Sequence, residues 1–174
     1  MRSHVLFIGG RSGVGKSTAA LALHELLITK DVQHAVIEGD YLDLAHPAPH
    51  VAFPTAELAE RNLAAMWSAY RTLGYSRLVH TNTVAVTMMP ALLRAMGDEP
   101  LVTAVLLRSG DAQSHARLSR RNLGRIDAAS AERSSAMAHR LDSEAPPSVH
   151  RVGTDGRSPS DVATTLLALT GWDT

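Results

Sequence analysis

Gly10-Arg11-Ser12-Gly13-Val14-Gly15-Lys16-Ser17-Thr18 is the stretch on which the reading of this chain turns. It satisfies G-x-x-x-x-G-K-[ST], with Gly10, Gly15, Lys16 and Ser17 at the fixed positions. Glycines let the backbone curl so that successive N–H groups point inward and form a concave anion site. A helix that starts there adds the positive end of its dipole. The flanks agree with this reading. His4-Val5-Leu6-Phe7-Ile8-Gly9 is a short apolar run of the kind that forms a buried parallel strand, and Ala19, Ala20, Leu23, Leu26 and Leu27 recur at helical spacing behind the loop. Strand, glycine loop and helix in that order predict a nucleoside triphosphate site. The amides from Ser12 to Ser17 would hold phosphate, Lys16 would reach the outer phosphates, and the Ser17 hydroxyl would ligate Mg²⁺.

Composition narrows the class. A chain of 174 residues with 45% hydrophobic residues suits one domain with a sizeable core. Lys+Arg and Asp+Glu are 17 each, so there is no overall basic field to hold nucleic acid. Lys16 and Lys30 are the only lysines, and the other fixed cations are arginines. The absence of cysteine excludes disulfides and thiolate metal sites and fits a cytoplasmic protein. No segment has the apolar length of a membrane span, and the first strand begins too early for a cleaved signal to precede it. Oligomeric state leaves no signal in the sequence.

Further along, Ala35-Val36-Ile37 reads as a second buried strand ending in Glu38-Gly39-Asp40-Tyr41-Leu42-Asp43. Acids at the carboxyl end of a parallel strand stand where open α/β sheets bind ligands. The two prolines of His46-Pro47-Ala48-Pro49-His50 predict a loop. Thr55 is the expected cap of a helix over 56–73 that carries Leu58, Leu63, Met66, Trp67 and Tyr70 and stops at Gly74. Ser76-Arg77-Leu78-Val79 gives a third strand, followed by His80-Thr81-Asn82-Thr83, and Pro90 opens a short helix closed by Gly97. A fourth strand over 101–107 leads to a helix over 111–123 that becomes rich in arginine, with Arg117, Arg120 and Arg121, then Arg125. Arg120 falls on a different face from Arg117 and Arg121. A helix over 128–143 with Asp127 as cap, an edge-like strand over 149–152 and a last helix complete the chain. That last helix opens at Ser158-Pro159-Ser160-Asp161, a variant capping box, and closes at Gly171. Such regular alternation predicts one three-layer α/β/α domain with a parallel sheet.

Four places taken in order make the chain resemble small-molecule and nucleotide kinases of the P-loop superfamily. They are the phosphate loop, Gly39-Asp40, Arg117-Leu118-Ser119-Arg120-Arg121, and Gly153-Thr154-Asp155-Gly156-Arg157-Ser158-Pro159. The groups in view are gluconate kinase, adenylylsulfate kinase, chloramphenicol phosphotransferase and the tunicamycin-resistance ATP-binding proteins. The resemblance implies five parallel strands in the order 2-3-1-4-5 and a short arginine-bearing lid over about 118–131. It implies ATP and Mg²⁺ as cofactors, and transfer of the γ-phosphate to a hydroxyl of a small metabolite or antibiotic. Asp40 would share Mg²⁺ with Ser17 and accept the proton of the attacking hydroxyl, with Asp43 as the competing acid. Arg121 and Arg125 would supply lid charge at the γ-phosphate, with Arg117 next, and the loop of Asp155 would border the adenine.

The acceptor side is drawn more loosely. Tyr41, His46, Phe53, Arg61, His80 and Asn82 are candidates to line it; Arg61 and Asn82 stand near family positions that bind substrate, whereas Trp67 has core spacing. His46 and His50, separated by prolines and followed by no carboxylate, do not make a zinc pair. Two alternatives remain: a nucleoside monophosphate kinase, which needs an arginine-lined acceptor pocket, and a slowly hydrolysing regulatory module. Neither D-x-x-G after strand three nor N-K-x-D occurs, and strand three does not end in an acid as a motor ATPase requires.

Overall fold

Alternation along the first strand explains the architecture. In β1 (His4–Gly9), Val5 and Phe7 face one way, Leu6 and Ile8 the other, and all four are buried. Val5 and Phe7 join a cluster with Leu63, Trp67, Leu92 and Leu141, while Leu6 and Ile8 join Leu23, Leu27, Val162 and Leu166. One central strand therefore faces two separate cores, and helices must cover both sides of the sheet. The computed structural model describes residues 2–121 and 128–173, with the side chains of positions 121 and 128 left aside.

Five parallel strands build the sheet: β1, β2 (Ala35–Glu38), β3 (Arg77–Thr81), β4 (Leu101–Arg108) and β5 (His150–Gly153). Their order is β2-β3-β1-β4-β5. β1 pairs with both β3 and β4, and Thr81 is level with Ile8 on one side and Glu38 on the other. The carboxyl ends of β1, β2 and β3 thus finish side by side. α1 (Lys16–Thr29) and α7 (Pro159–Thr170) pack on one face. α3 (Leu58–Thr72), α4 (Met89–Met96) and α6 (Ala128–Glu144) cover the other, and the one-turn α2 (Pro49–Ala52) and α5 (Asp111–Arg121) complete the helices among the described residues.

Several local expectations hold. Ser158 and Asp161 form the reciprocal capping box of α7, which holds the Asp161 carboxyl below the usual range through the Ser158 hydroxyl and amide. Gly97 and Gly171 close their helices in the left-handed conformation, and Trp67 is core, 1% exposed. Others change. Pro49 starts a single helical turn inside the expected loop. Thr55 does not cap α3: it lies in a 3-10 turn over Pro54–Ala56, and Glu57, at φ 45, reverses the chain before the helix begins at Leu58. β3 extends to Thr81, which places His80 inside the strand rather than in the loop after it. Asp127, Arg125 and most of the expected lid lie outside the described residues, as does the side chain of Arg121.

Candidate active site

The glycine loop is held from behind by its carbonyls. Lys16 Nζ donates to Gly10 O at 3.0 Å, Ser134 Oγ of α6 donates to Ser12 O at 3.2 Å, and Val14 O accepts from Thr154 Oγ1 at 3.1 Å and Arg117 Nη1 at 3.0 Å. These contacts fix the loop through its carbonyls, and its Val14 amide bonds back to Arg11 O at 3.3 Å. Gly15 enters α1 in the left-handed conformation, and the first turn of that helix carries no acid to oppose an anion. Gly13 cannot be another residue: at φ 82, an added Cβ would stand 2.6 Å from the Ser114 carbonyl oxygen and 2.8 Å from Leu118 Cγ. Arg11, also in the loop, is buried and forms an ion pair with Asp111 at the start of α5. That hydrogen bond, with help from the Ser135 hydroxyl, holds the Asp111 carboxyl below its ordinary range.

At the front of the loop, three strand ends meet. Lys16 Nζ lies 3.3 Å from Thr83 Oγ1 and 3.9 Å from Asp40 Oδ2. Thr83 N donates to Asp40 Oδ1 at 3.2 Å, and Gly10 N donates to Thr83 O at 3.1 Å. Lys16 is 7% exposed and Asp40 43%, so the cation is seated in protein while the acid is open to solvent. Beneath Asp40, Gly39 lies against His80: a Cβ there would be 2.6 Å from His80 Cε1 and 2.5 Å from Thr81 O. Burial pushes the His80 imidazole down to about 4, against the weaker opposing pulls of the Asp40 charge and the Ile37 backbone. His80 is a neutral support for the acid and does not reach the cleft.

On the nucleotide side, a pocket of about 170 Å³ is lined by Val14, Gly15, Thr18, Arg117, Thr154 and Arg157, among others. Arg117 donates to Thr154 Oγ1 at 3.0 Å and to Thr154 O at 3.2 Å as well as to the loop, so it ties the phosphate site to the β5–α7 connection. The Asp155 carboxylate accepts from Gly110 N at 2.7 Å, which fixes that connection rather than presenting the side chain to a base. Arg157 is anchored on Gly153 O, Asp161 O and Thr165 Oγ1. Arg120 is exposed and away from this pocket.

A larger cleft of about 710 Å³ opens between α2, the Phe53–Leu58 turn, α4 and α6. Asp43 and Asn82 line it, as does Phe53; Arg61 does not, being exposed on α3. Tyr41 is 71% exposed. Asn82 and Val84 both line the cleft, and Thr83 between them touches Lys16 and Asp40. Thr83 itself is not part of the cleft lining. Thr83, Thr154 and the Arg11–Asp111 pair are contacts around the loop to which reading the sequence gave no role. Thr83 carried a signal, since it follows a parallel strand at its carboxyl end; Thr154 stood inside the quoted Gly153–Pro159 stretch without being singled out, and Asp111 pairs across a long sequence gap and carried none. Among the described residues, no three His, Asp or Glu side chains gather as a metal cage, and no helix is long and apolar enough to cross a membrane.

No family model matches the chain, and no curated protein matches it in sequence. Solved structures do. A tunicamycin resistance protein of Deinococcus radiodurans superposes with a TM-score of 0.66 at 20% identity, covering 98% of this chain and 96% of its own. A gluconokinase from Sinorhizobium meliloti 1021 gives 0.64 at 16%, covering 98% and 94%. The APS kinase of Mycobacterium tuberculosis, in complex with AMPPNP and APS, gives 0.59 at 19%, covering 97% of each chain. The chain shares the fold of these P-loop small-molecule kinases, each superposition covering 97–98% of it.

Proposed function

We propose that this protein is an ATP- and Mg²⁺-dependent phosphotransferase that moves the γ-phosphoryl group of ATP to a hydroxyl of a small molecule. The observation that supports the reading is the meeting of Lys16, Asp40 and Thr83 beside the glycine loop, with Asn82 and Val84, the neighbours of Thr83 in sequence, lining the 710 Å³ cleft. Phosphoryl transfer asks for positioning and charge stabilisation more than for covalent help. The nest amides would hold the β-phosphate and Lys16 would hold the γ-phosphate. The Ser17 hydroxyl and the Asp40 carboxylate are the hard oxygen donors that suit Mg²⁺, which when bound neutralises charge on the phosphates. Asp40 takes the proton of the acceptor hydroxyl as its oxygen bonds to Pγ and the bond from Pγ to the bridging oxygen breaks. Asp43, lower in the cleft and 3.8 Å from His50 Nδ1, is the second acid in reach of an acceptor. Arg117 and the pocket beside it would border the base, and Arg121 and Arg125 would add lid charge.

ADP release with ATP, Mg²⁺ and a panel of sugar acids, nucleosides, nucleoside monophosphates and antibiotics tests the proposal. Turnover that rises with one acceptor, and a phosphorylated product in stoichiometric yield, is the expected result. Hydrolysis indifferent to every acceptor but stimulated by a protein partner would replace it with a regulatory role.

A further inference from the structure

We infer that the acceptor is a hydroxyl compound with an apolar body and a neutral or positive charge, and that the cleft rejects carboxylate, sulfate and phosphate acceptors. This rests on the kinase reading for the identity of the cleft as the acceptor site; the preference itself rests on what lines it.

The walls are apolar where an acceptor body would lie. Phe53, Leu58, Val84, Met88, Leu92 and Met137 come from three separate stretches of chain and line one space. Phe53 is 61% and Met88 40% exposed, so both offer apolar area still in contact with solvent. Burying such area against a ligand is favourable at roughly 25 cal/mol per Å². A polyhydroxylated acid would instead lose hydration there without polar partners.

Charge points the same way. Asp43, Glu57 and Glu60 line the cleft. Among the described residues, Arg140 is the only arginine or lysine on its wall, and its Nε donates to Glu144 Oε1 at 2.9 Å. His50 stands beside Asp43. Arg61, a substrate-side candidate from the sequence, is exposed on α3 and does not line the cleft. The reversal at Glu57, where φ is 45, sets Glu57 and Glu60 on the cleft side of the start of α3. Among the described residues the lining thus carries three carboxylates and one arginine, itself paired with Glu144, so an entering anion meets net negative charge and an ammonium group meets complementary charge.

Three probes of one skeleton isolate the charge: 2-amino-1-phenylethanol (cation), 1-phenyl-1,2-ethanediol (neutral) and mandelate (anion). Affinities are read by NMR titration of the full-length protein with and without Mg·AMPPNP, so that no turnover is needed. Ligands of this size should bind in roughly the millimolar range. The expected order is cation, then neutral, then anion, with about a tenfold gap between the extremes. Glu57→Gln combined with Glu60→Gln should narrow that gap to about two- or threefold, and Phe53→Ser should weaken all three probes several-fold without changing their order. Mandelate binding as well as the cation, no binding by any probe, or a gap unchanged in the double variant would overturn the inference. Failure of the kinase reading shows separately, as absent Mg·AMPPNP binding or absent acceptor-dependent ADP release while the probe order stands.

Discussion

Lys16 Nζ and Thr83 Oγ1 lie 3.3 Å apart, across 67 positions of sequence. Through this contact the phosphate loop after β1 is joined to the segment that leaves β3, and Thr83 in turn donates its amide to Asp40 beyond β2. The parallel register makes this possible, because Ile8, Thr81 and Glu38 stand in one row and the residues just past them converge. Lys16 and Asp40 are thus joined through one threonine, whose sequence neighbours Asn82 and Val84 line the larger cleft.

Removing either end of that contact separates charge from placement. Lys16→Ala should lower kcat/KM by at least about 10³-fold, since Arg11 in the same loop is committed to Asp111 and Arg117 to the Val14 carbonyl and Thr154. Thr83→Val keeps shape but deletes the hydroxyl acceptor, and a loss of about tenfold in kcat with little change in KM for ATP is expected. Steady-state ADP release and melting temperature distinguish the two from unfolding; equal losses in both would mean that Thr83 carries the cation's role as well.

Asp40 and Asp43 compete for the proton-accepting role, and the geometry favours Asp40. It is the acid bound to Thr83 N and within 3.9 Å of Lys16, whereas Asp43 sits in the cleft near His50. Asp40→Asn should preserve nucleotide binding within a few-fold and reduce turnover by about 10²–10⁴-fold, while Asp43→Asn should mainly raise KM for the acceptor. A reversed pattern, measured with ATP and acceptor varied independently, would move the base to Asp43.

Much of this site could be read before any coordinates, and for identifiable reasons. The phosphate loop is local: its glycines, Lys16 and Ser17 are contiguous, so spacing alone specified the nest. The same holds for the Ser158–Asp161 box. Alternation in β1 and the regular recurrence of strands specified the three layers. The cleft was less legible because its walls are set by a turn that propensity misjudged. Thr55 has good capping chemistry, yet Pro54–Ala56 makes a 3-10 turn and Glu57 adopts a positive φ, so the helix starts later and Glu57 and Glu60 line the cleft instead of merely decorating a first turn. Arg61, which the resemblance set near a substrate-binding position, is exposed on α3 and does not line the cleft. Arg117, read as a charge for phosphate, is largely occupied with Val14 O and Thr154, a partnership across 103 and 37 positions that no spacing rule reports.

Gly39 tests the support beneath the acid. A methyl group there would come within 2.5 Å of a backbone oxygen and 2.6 Å of His80, and backbone cannot yield cheaply. Gly39→Ala should destabilise the protein by about 1–3 kcal/mol and displace Asp40. Turnover should fall more than nucleotide affinity does. Urea midpoints together with kinetics check this; wild-type turnover in the variant would show that the Asp40 position tolerates the shift.

Arg117 should act on architecture and nucleotide together. It donates to the carbonyl of Val14 and to Thr154, and it lines the 170 Å³ pocket. Arg117→Ala frees two loops from each other, so KM for ATP should rise about tenfold or more, with a lower melting temperature. Arg117→Lys keeps the charge but not the forked geometry and should rescue little. Full rescue by lysine would make charge alone its contribution.

His80 gives the fold a signature in pH. Its imidazole is pushed to about 4 by burial in the folded protein, against an ordinary value of 6.5 in the unfolded chain. Between those values the unfolded chain binds a proton that the folded protein refuses, so this group's contribution is intact above pH 6.5 and is lost progressively as pH falls toward 4. The slope is at most about 1.4 kcal/mol per pH unit across that window and vanishes below it, where both states are protonated. Packed edge-on to Phe7 at 5.7 Å and under Gly39, the ring has space for a similar apolar side chain. His80→Leu should therefore be less stable at pH 7 through imperfect packing, yet lose less stability on acidification, so that the two urea-midpoint curves converge between pH 6.5 and 4. Curves that stay parallel over that interval would mean that His80 takes up its proton in the folded protein as readily as in the unfolded one, and the neutral support beneath Asp40 would have to be abandoned.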